Sequence, residues 1–375
     1  MKRVFSLLAL LFPAVIFAAA DSSAYEMKGG KWGFELNYQT GPVLRHSKKI
    51  KEVPRDWTQG FELDYFRRSL GQKPWMKSLN YPEYGIALNY WHIGNPAVFG
   101  DAVSLMGYAK FFVVRSKVVN AYVRLGGGLG VVTKYYDYTD NPRNNILGGP
   151  LNMAVQLRVG LDWKIHPQVQ LVTAGTFSHF SNASAKLPNY GMNIASLTVG
   201  IKYYPKLTTL SYNYSRQKHK HPNEVMIKYG FGLHEAYGIG GSMSAAHVVT
   251  AVYARYTSYG NKVFGGVCME YFPSVRNYLV FNESTDKKSA VRKSFNGSVY
   301  FGDELMLGRV GMFFGMGVYF VRSMATASQV YFKVGGNYYY AQFGKDKQYK
   351  LFVGMNVKSH LSIAQYWEVA TGACF

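Results

Sequence analysis

Leu151-Asn-Met-Ala-Val-Gln-Leu-Arg-Val-Gly-Leu-Asp-Trp-Lys-Ile165 decides the fold. Every odd position from Leu151 to Ile165 is apolar, and the even ones are Asn152, Ala154, Gln156, Arg158, Gly160, Asp162 and Lys164. A period of two sends successive side chains to opposite faces of a strand. The run is longer than an ordinary globular strand and suits a tilted strand that spans a membrane. In a sandwich such apolar faces would meet in a core. In a membrane barrel they face lipid, and the polar set lines the lumen.

The same alternation recurs outward from this stretch, at Val119 to Val131, Ala195 to Tyr203 and Val310 to Phe320. About sixteen strands are expected, roughly eight in 31–204 and eight in 222–375. Arg45 to Gln59 and Lys134 to Pro150 are expected as external loops. Arg115-Ser116-Lys117 and His166-Pro167-Gln168 are expected as short turns. Pro205 to His221 is too long and too basic for a turn and marks a boundary. The fold class is therefore all-β: a transmembrane antiparallel β-barrel, as two tandem eight-stranded units over 21–205 and 222–375 joined by a linker at 206–221. One merged barrel of about sixteen strands is the alternative.

Export is written at the N-terminus. Lys2 and Arg3 precede an apolar run from Val4 to Phe17, and Ala18-Ala19-Ala20 supplies a cleavage site, so 1–20 is expected to be a signal peptide. No later segment is apolar for long enough to form a membrane helix. Tyr (31) and Phe (24) are abundant while Pro is sparse (13), which suits strands and the aromatic girdles of a barrel. The net charge of +21 points to the anionic phosphates of a lipopolysaccharide leaflet rather than to nucleic acid, which an exported chain rarely meets. Two cysteines, Cys268 and Cys374, allow one disulfide or two free thiols and exclude a cysteine metal cluster.

The chemistry concentrates in Val169 to Ser181 and the segment after it. By parity His179 and Ser181 share the face of Leu171 and Phe177, the lipid side. Positions i and i+2 on a strand lie ~6.6 Å apart, within reach of an imidazole and a hydroxyl. A serine hydroxyl is a weak nucleophile until an adjacent base takes its proton, and the resulting oxyanion needs amide donors. By itself His-x-Ser is a weak signal.

Its flanks strengthen it. His179-Phe180-Ser181-Asn182-Ala183 followed by Lys186-Leu187-Pro188-Asn189-Tyr190-Gly191 closely resembles the signature of outer-membrane lipid A 3-O-deacylases, the PagL-type enzymes of the acyloxyacyl hydrolase family. The loop Asn141-Pro142-Arg143-Asn144-Asn145 and the strand from Leu151 look like Bacteroidetes members. The resemblance covers 85–204 well and is weaker over 31–84 and in the second unit. It implies an outer-membrane serine esterase that removes an ester-linked acyl chain from lipid A, with no cofactor and no metal. His179 would be the general base, Ser181 the nucleophile, and Asn182 and Asn189 the oxyanion donors. The family's glutamate fourteen residues after the histidine is replaced by Asn193. An asparagine can fix the imidazole's tautomer but cannot balance its charge.

Other candidates are weaker. His360-Leu361-Ser362 repeats the spacing on a strand expected from Tyr349 to Ile363, but on the polar face, where His360 is expected to pair with Glu368 in the lumen. His219 and His221 lie between Lys218 and Lys220, which would repel a cation. Gly126 to Gly128 lack the context of a nucleotide loop. Asp101, Asp137 and Asp140 show no calcium-ligand pattern. Two rival functions stay open at this point: a noncatalytic barrel that binds or organises envelope lipid, and a channel lined by Arg158, Lys164 and Lys202.

Overall fold

The structure is a computed structural model and describes residues 25–212, 215, 218–235, 243–324, 326, 328–360 and 363–375. The expected signal peptide, Leu361 and Ser362 lie outside the described residues. A short strand β1 (Tyr25–Gly29) precedes β2 (Trp32–Gly41), β3 (Thr58–Arg68), β4 (Glu83–His92), β5 (Asp101–Arg115) and β6 (Val119–Val132). Then come β7 (Leu151–His166), β8 (Val169–Ser181), β9 (Met192–Tyr203) and β10 (Thr208–Tyr212). The C-terminal half holds β11 (Asn223–Glu235), β12 (Met243–Ser258), β13 (Asn261–Tyr271), β14 (Phe295–Leu307), β15 (Val310–Val321), β16 (Val330–Phe343), β17 (Tyr349–His360) and β18 (Ile363–Cys374).

Strands β2 to β9 close into one antiparallel barrel, and β11 to β18 into another. The first closes through β2 and β9, from Phe34 opposite Tyr203 to Thr40 opposite Leu197. The second closes through β11 and β18, from Met226 opposite Cys374 to Phe231 opposite Val369. The single merged barrel is thereby ruled out. Within the segment expected to be linker, Thr208–Tyr212 pairs with Tyr25–Gly29 as a small separate sheet. Its partner lies at the far end of the unit, so no local pattern announces it.

Strand β3 alternates buried and exposed along its whole length. The exposed set is apolar: Leu36 is 58% exposed and Leu197 67%, with Leu63, Ile86, Leu105 and Val159 beside them. An apolar belt around a closed barrel is stable only against lipid.

The lumen of an eight-stranded barrel is just wide enough for side chains to fill it. Here it holds charges that cancel. In the first barrel Arg124 bonds Asp64 at 2.7 Å and Glu62 at 2.9 Å. Arg158 lies 2.8 Å from Glu62, and Lys110 bridges Glu35 at 3.0 Å and Asp162 at 3.2 Å. Lys202 joins Asp162 at 3.0 Å and also contacts Glu83. Arg158 and Lys202 are fully buried in these pairs, whereas a channel lining would need them solvated. The acids Glu35, Glu62 and Asp64 converge, but the guanidinium groups of Arg124 and Arg158 already answer their charge.

The second lumen is built alike. Lys262 bonds Glu224 at 2.6 Å and Glu304 at 3.0 Å, Lys333 bonds Glu368 at 2.9 Å, and Lys358 contacts Glu270. His360 does face this lumen, but the expected pairing with Glu368 is corrected: its Nε2 meets the Tyr319 hydroxyl at 3.0 Å. Glu368 lies opposite Asn356 in the ladder, four residues below His360, and is paired instead with Lys228 and Lys333. At ~3.4 Å per residue the gap is too long to bridge. The strand expected to run to Ile363 stops at His360, and Ile363 opens the return strand opposite it. Cys268 and Cys374 are free and buried.

In each barrel most of the connecting length lies at one end, and this marks it as external. In the first, the segments 42–57, 93–100, 133–150 and 182–191 gather at the end where β8 finishes, opposite the turns at 116–118 and 167–168 and the connection 69–82, which carries the short helix Pro74–Ser78. Ile50, Ile93, Val98, Phe99, Ile146 and Leu147 pack there onto the inward Trp91, Met106 and Phe180.

Candidate active site

Phe180 fixes the parity of the site. It is buried at 2% exposure among the residues that cap the external mouth, so its neighbours His179 and Ser181 must take the opposite, outer face. A slip of one residue would turn all three over, at the cost of exposing Phe180 and burying the imidazole in the lumen. The ladder agrees: His179 lies opposite Val155 on β7 and opposite Asn193 on β9, and Ser181 lies opposite Met153.

Asn193 accordingly meets the histidine. Its Oδ1 lies 2.5 Å from His179 Nδ1. An amide oxygen can only accept, so Nδ1 carries the proton and Nε2 keeps a lone pair. That is the tautomer a general base requires.

Past Ser181 the chain turns sharply. Ala183 and Ser184 both adopt left-handed backbone angles, φ 50 and 62. For residues with a Cβ this costs ~1–2 kcal/mol each. The turn returns Asn189 to the nucleophile, where its Nδ2 donates to Ser181 Oγ at 2.8 Å. The same side chain accepts from the Asn182 backbone N–H at 3.3 Å. Two residues on, Gly191 has φ +77, and a Cβ there would sit 2.6 Å from His179 Cε1. Only glycine lets the loop close over the imidazole.

The five residues singled out in the sequence (His179, Ser181, Asn182, Asn189 and Asn193) thus lie together at the external end of β8 and β9. Two supports were not singled out. The Ile146 carbonyl accepts from both Tyr190 N and Gly191 N at 3.0 Å, and His46 Nε2 lies 2.8 Å from the Tyr190 carbonyl. These contacts tie the segment carrying Asn189 to two other external loops. No motif carries them, because backbone carbonyls leave no mark in a sequence.

A groove of about 360 Å³ was missed too. It opens on the outer wall, lined by Gly41, Pro42, Trp57, Val159, Gly175, Phe177, Ala195 and Leu197 among others. Phe177 and Ala195 face each other one outward position below His179 and Asn193, and Gly175 and Leu197 the next below. Small residues at outward positions, Gly175 and Ala195 in a face of Leu and Val, are the signal that could have revealed it.

Fold and site together define an outer-membrane β-barrel with a serine, histidine and asparagine cluster on the outer side of two strands, beneath an external loop. The family profile described as lipid A 3-O-deacylase (PagL) matches residues 59–202, and that described as acyloxyacyl hydrolase, C-terminal domain, matches residues 236–375. The chain belongs to this lipid A deacylase family of the bacterial outer membrane. Among solved structures it is similar to the outer membrane enzyme PagL, at 15% identity and a TM-score of 0.31, over 44% of this chain and 97% of that one. It is similar also to Neisserial surface protein A, at 11% identity and a TM-score of 0.30, over 47% and 98%. A third is the N-terminal barrel domain of Pseudomonas aeruginosa OprF, at 14% identity and a TM-score of 0.28, over 47% and 99%. No curated protein matches the chain by sequence.

Proposed function

We propose that this chain is a serine esterase that hydrolyses an ester-linked acyl chain of lipid A in the outer leaflet. The observation that carries the reading is the outward His179, held by Asn193 at 2.5 Å, two residues from a Ser181 hydroxyl that receives the Asn189 amide at 2.8 Å. The pair is outward in the ladder but covered, with Ser181 5% exposed beneath the 182–191 loop, and such a placement adds little to barrel stability and keeps water from the hydroxyl.

In the first step Ser181 Oγ attacks the ester carbonyl and its proton passes to His179 Nε2. The oxyanion takes the second hydrogen of the Asn189 side-chain amide, and the Asn182 backbone N–H once it leaves Asn189 Oδ1, both within the 181–189 turn. The intermediate collapses, the carbon–oxygen bond to the sugar breaks, and His179 returns its proton to the departing hydroxyl. Water, deprotonated by the same nitrogen, then frees the fatty acid. Asn193 holds the ring throughout without adding charge. Asn193→Ala is expected to lower the rate on the order of 100-fold by releasing the ring, at unchanged barrel stability.

The outer-wall groove supports an acyl chain lying along β8 and β9 beneath the ester. Gly175 tests it, because a Cβ there would meet nothing within 4 Å. Gly175→Leu is therefore expected to fold normally and to fill the groove. Hydrolysis of a long-chain ester should fall ~10- to 100-fold, while a short-chain ester is cleaved as before. Equal losses on both would remove the groove from the mechanism. The reading as a whole is tested by expressing the chain in a bacterium without such activity and weighing its lipid A by mass spectrometry. Loss of one ester-linked chain is expected, and unmodified lipid A would overturn it.

A further inference from the structure

The second barrel carries a surface that the esterase reading does not use. Between β13 and β14, at the external end, the chain forms two short helices, Pro273–Phe281 and Lys287–Arg292. Their inner side is packed: Val275, Leu279 and Ala290 are buried in the core that closes this barrel, and the Phe272 ring meets that of Tyr366 at 6.0 Å. The Ser294 hydroxyl donates to the Ala290 carbonyl at 2.7 Å, and Ser289 N donates to Asp286 Oδ1 at 3.0 Å. The hairpin of helices is therefore a fixed platform rather than a loose loop.

Its other side is cationic and aromatic. Lys287, Lys288, Arg292 and Lys293 are all exposed, and among the described residues none of the four has an ion-pair partner. Two acids, Glu283 and Asp286, share the segment with Arg276, Lys287, Lys288, Arg292 and Lys293, so positive charge predominates, and the Asp286 carboxylate also caps the second helix. Phe281 is 86% exposed, with Tyr278 and Phe295 also open. A bare phenylalanine costs free energy in water, and unpaired cations held together repel one another. Both costs vanish at the border of an anionic lipid leaflet, where an aromatic ring enters the acyl boundary and cations meet phosphate. The ends of β13 and β14 set this height, because the platform follows directly on strands that cross the membrane.

We infer that the outer side of this helical platform binds the phosphorylated headgroups of lipids surrounding the second barrel. The occupant is a lipid rather than a soluble anion, because the exposed ring flanks the cations and only a lipid offers a phosphate and an apolar boundary together. The surface is independent of ester hydrolysis, so the two readings fail separately.

The test uses the full chain with Ser181→Ala, to leave lipids intact, and Phe281→Trp as a reporter. It is reconstituted in phosphatidylcholine vesicles in which either phosphatidic acid or phosphatidylcholine is brominated at equal mole fraction. Quenching beyond that of the chain retaining Phe281 reports lipid at the platform. Brominated phosphatidic acid is expected to quench about fivefold more strongly, and the preference should collapse at high salt. It should also collapse when the four cations are replaced by glutamine. Equal quenching by both lipids, with the chain carrying all four cations, would overturn the inference. So would a preference that survives the glutamine substitutions, or one abolished by millimolar inorganic phosphate at constant ionic strength, which would assign the site to a small anion.

Discussion

Ser181→Ala is expected to leave lipid A fully acylated in cells that express the variant at the level of the parent chain. The rate should fall on the order of 10^4- to 10^6-fold, the range seen when a member of a nucleophile–base unit is removed. His179→Ala should cost about as much, and the double variant no more than either alone, because the two groups act on one proton. Neither change should disturb the barrel. Both side chains lie outside the lumen, and Phe180 between them keeps its packing. Heat-dependent migration of the folded barrel on a gel provides the control. A variant that is folded yet still deacylates would show that the outer-wall cluster is not the catalyst. A parent chain that does not deacylate would favour a barrel that only binds envelope lipid, and would direct attention to the missing charge at Asn193.

The second large effect concerns stability. Arg124 is fully buried, holds Asp64 through both terminal nitrogens at 2.7 and 3.2 Å, and covers the Tyr108 ring at 3.6 Å. Arg124→Met is expected to cost ~3–5 kcal/mol, since it strands a buried carboxylate whose desolvation nothing then offsets. Glu62 would suffer less, because Arg158 remains 2.8 Å away. Adding Asp64→Leu should restore most of the loss, as replacing a whole buried pair by apolar groups is often close to neutral. Urea titration of the barrel in detergent, followed by tryptophan fluorescence, measures both. A single variant within ~1 kcal/mol of the parent would mean that the lumen admits enough water to solvate Asp64. In that case the view of a filled, non-conducting barrel would fail with it.

The sequence was informative where one residue's role repeats with a period. Alternation from Leu151 to Ile165 assigned strand, face and membrane together, since a period of two leaves no other way to separate Arg158 from Val159. The same parity assigned His179 and Ser181 to the outer wall. Parity says nothing about partners across the lumen. His360 and Glu368 share a polar face, yet their heights differ by four residues, so the histidine bonds Tyr319 instead.

Composition and alternation alone determined an all-β membrane protein with an outward histidine and serine. Tertiary structure alone decided that the strands close as two rings rather than one, because closure depends on which edges pair and edge pairing is non-local. It also decided that the Ile146 carbonyl and His46 brace the loop bearing Asn189, and that Gly175 and Ala195 open a groove below the imidazole. Each of these needs residues far apart in the chain to arrive at one place, and a one-dimensional pattern contains no distances between them.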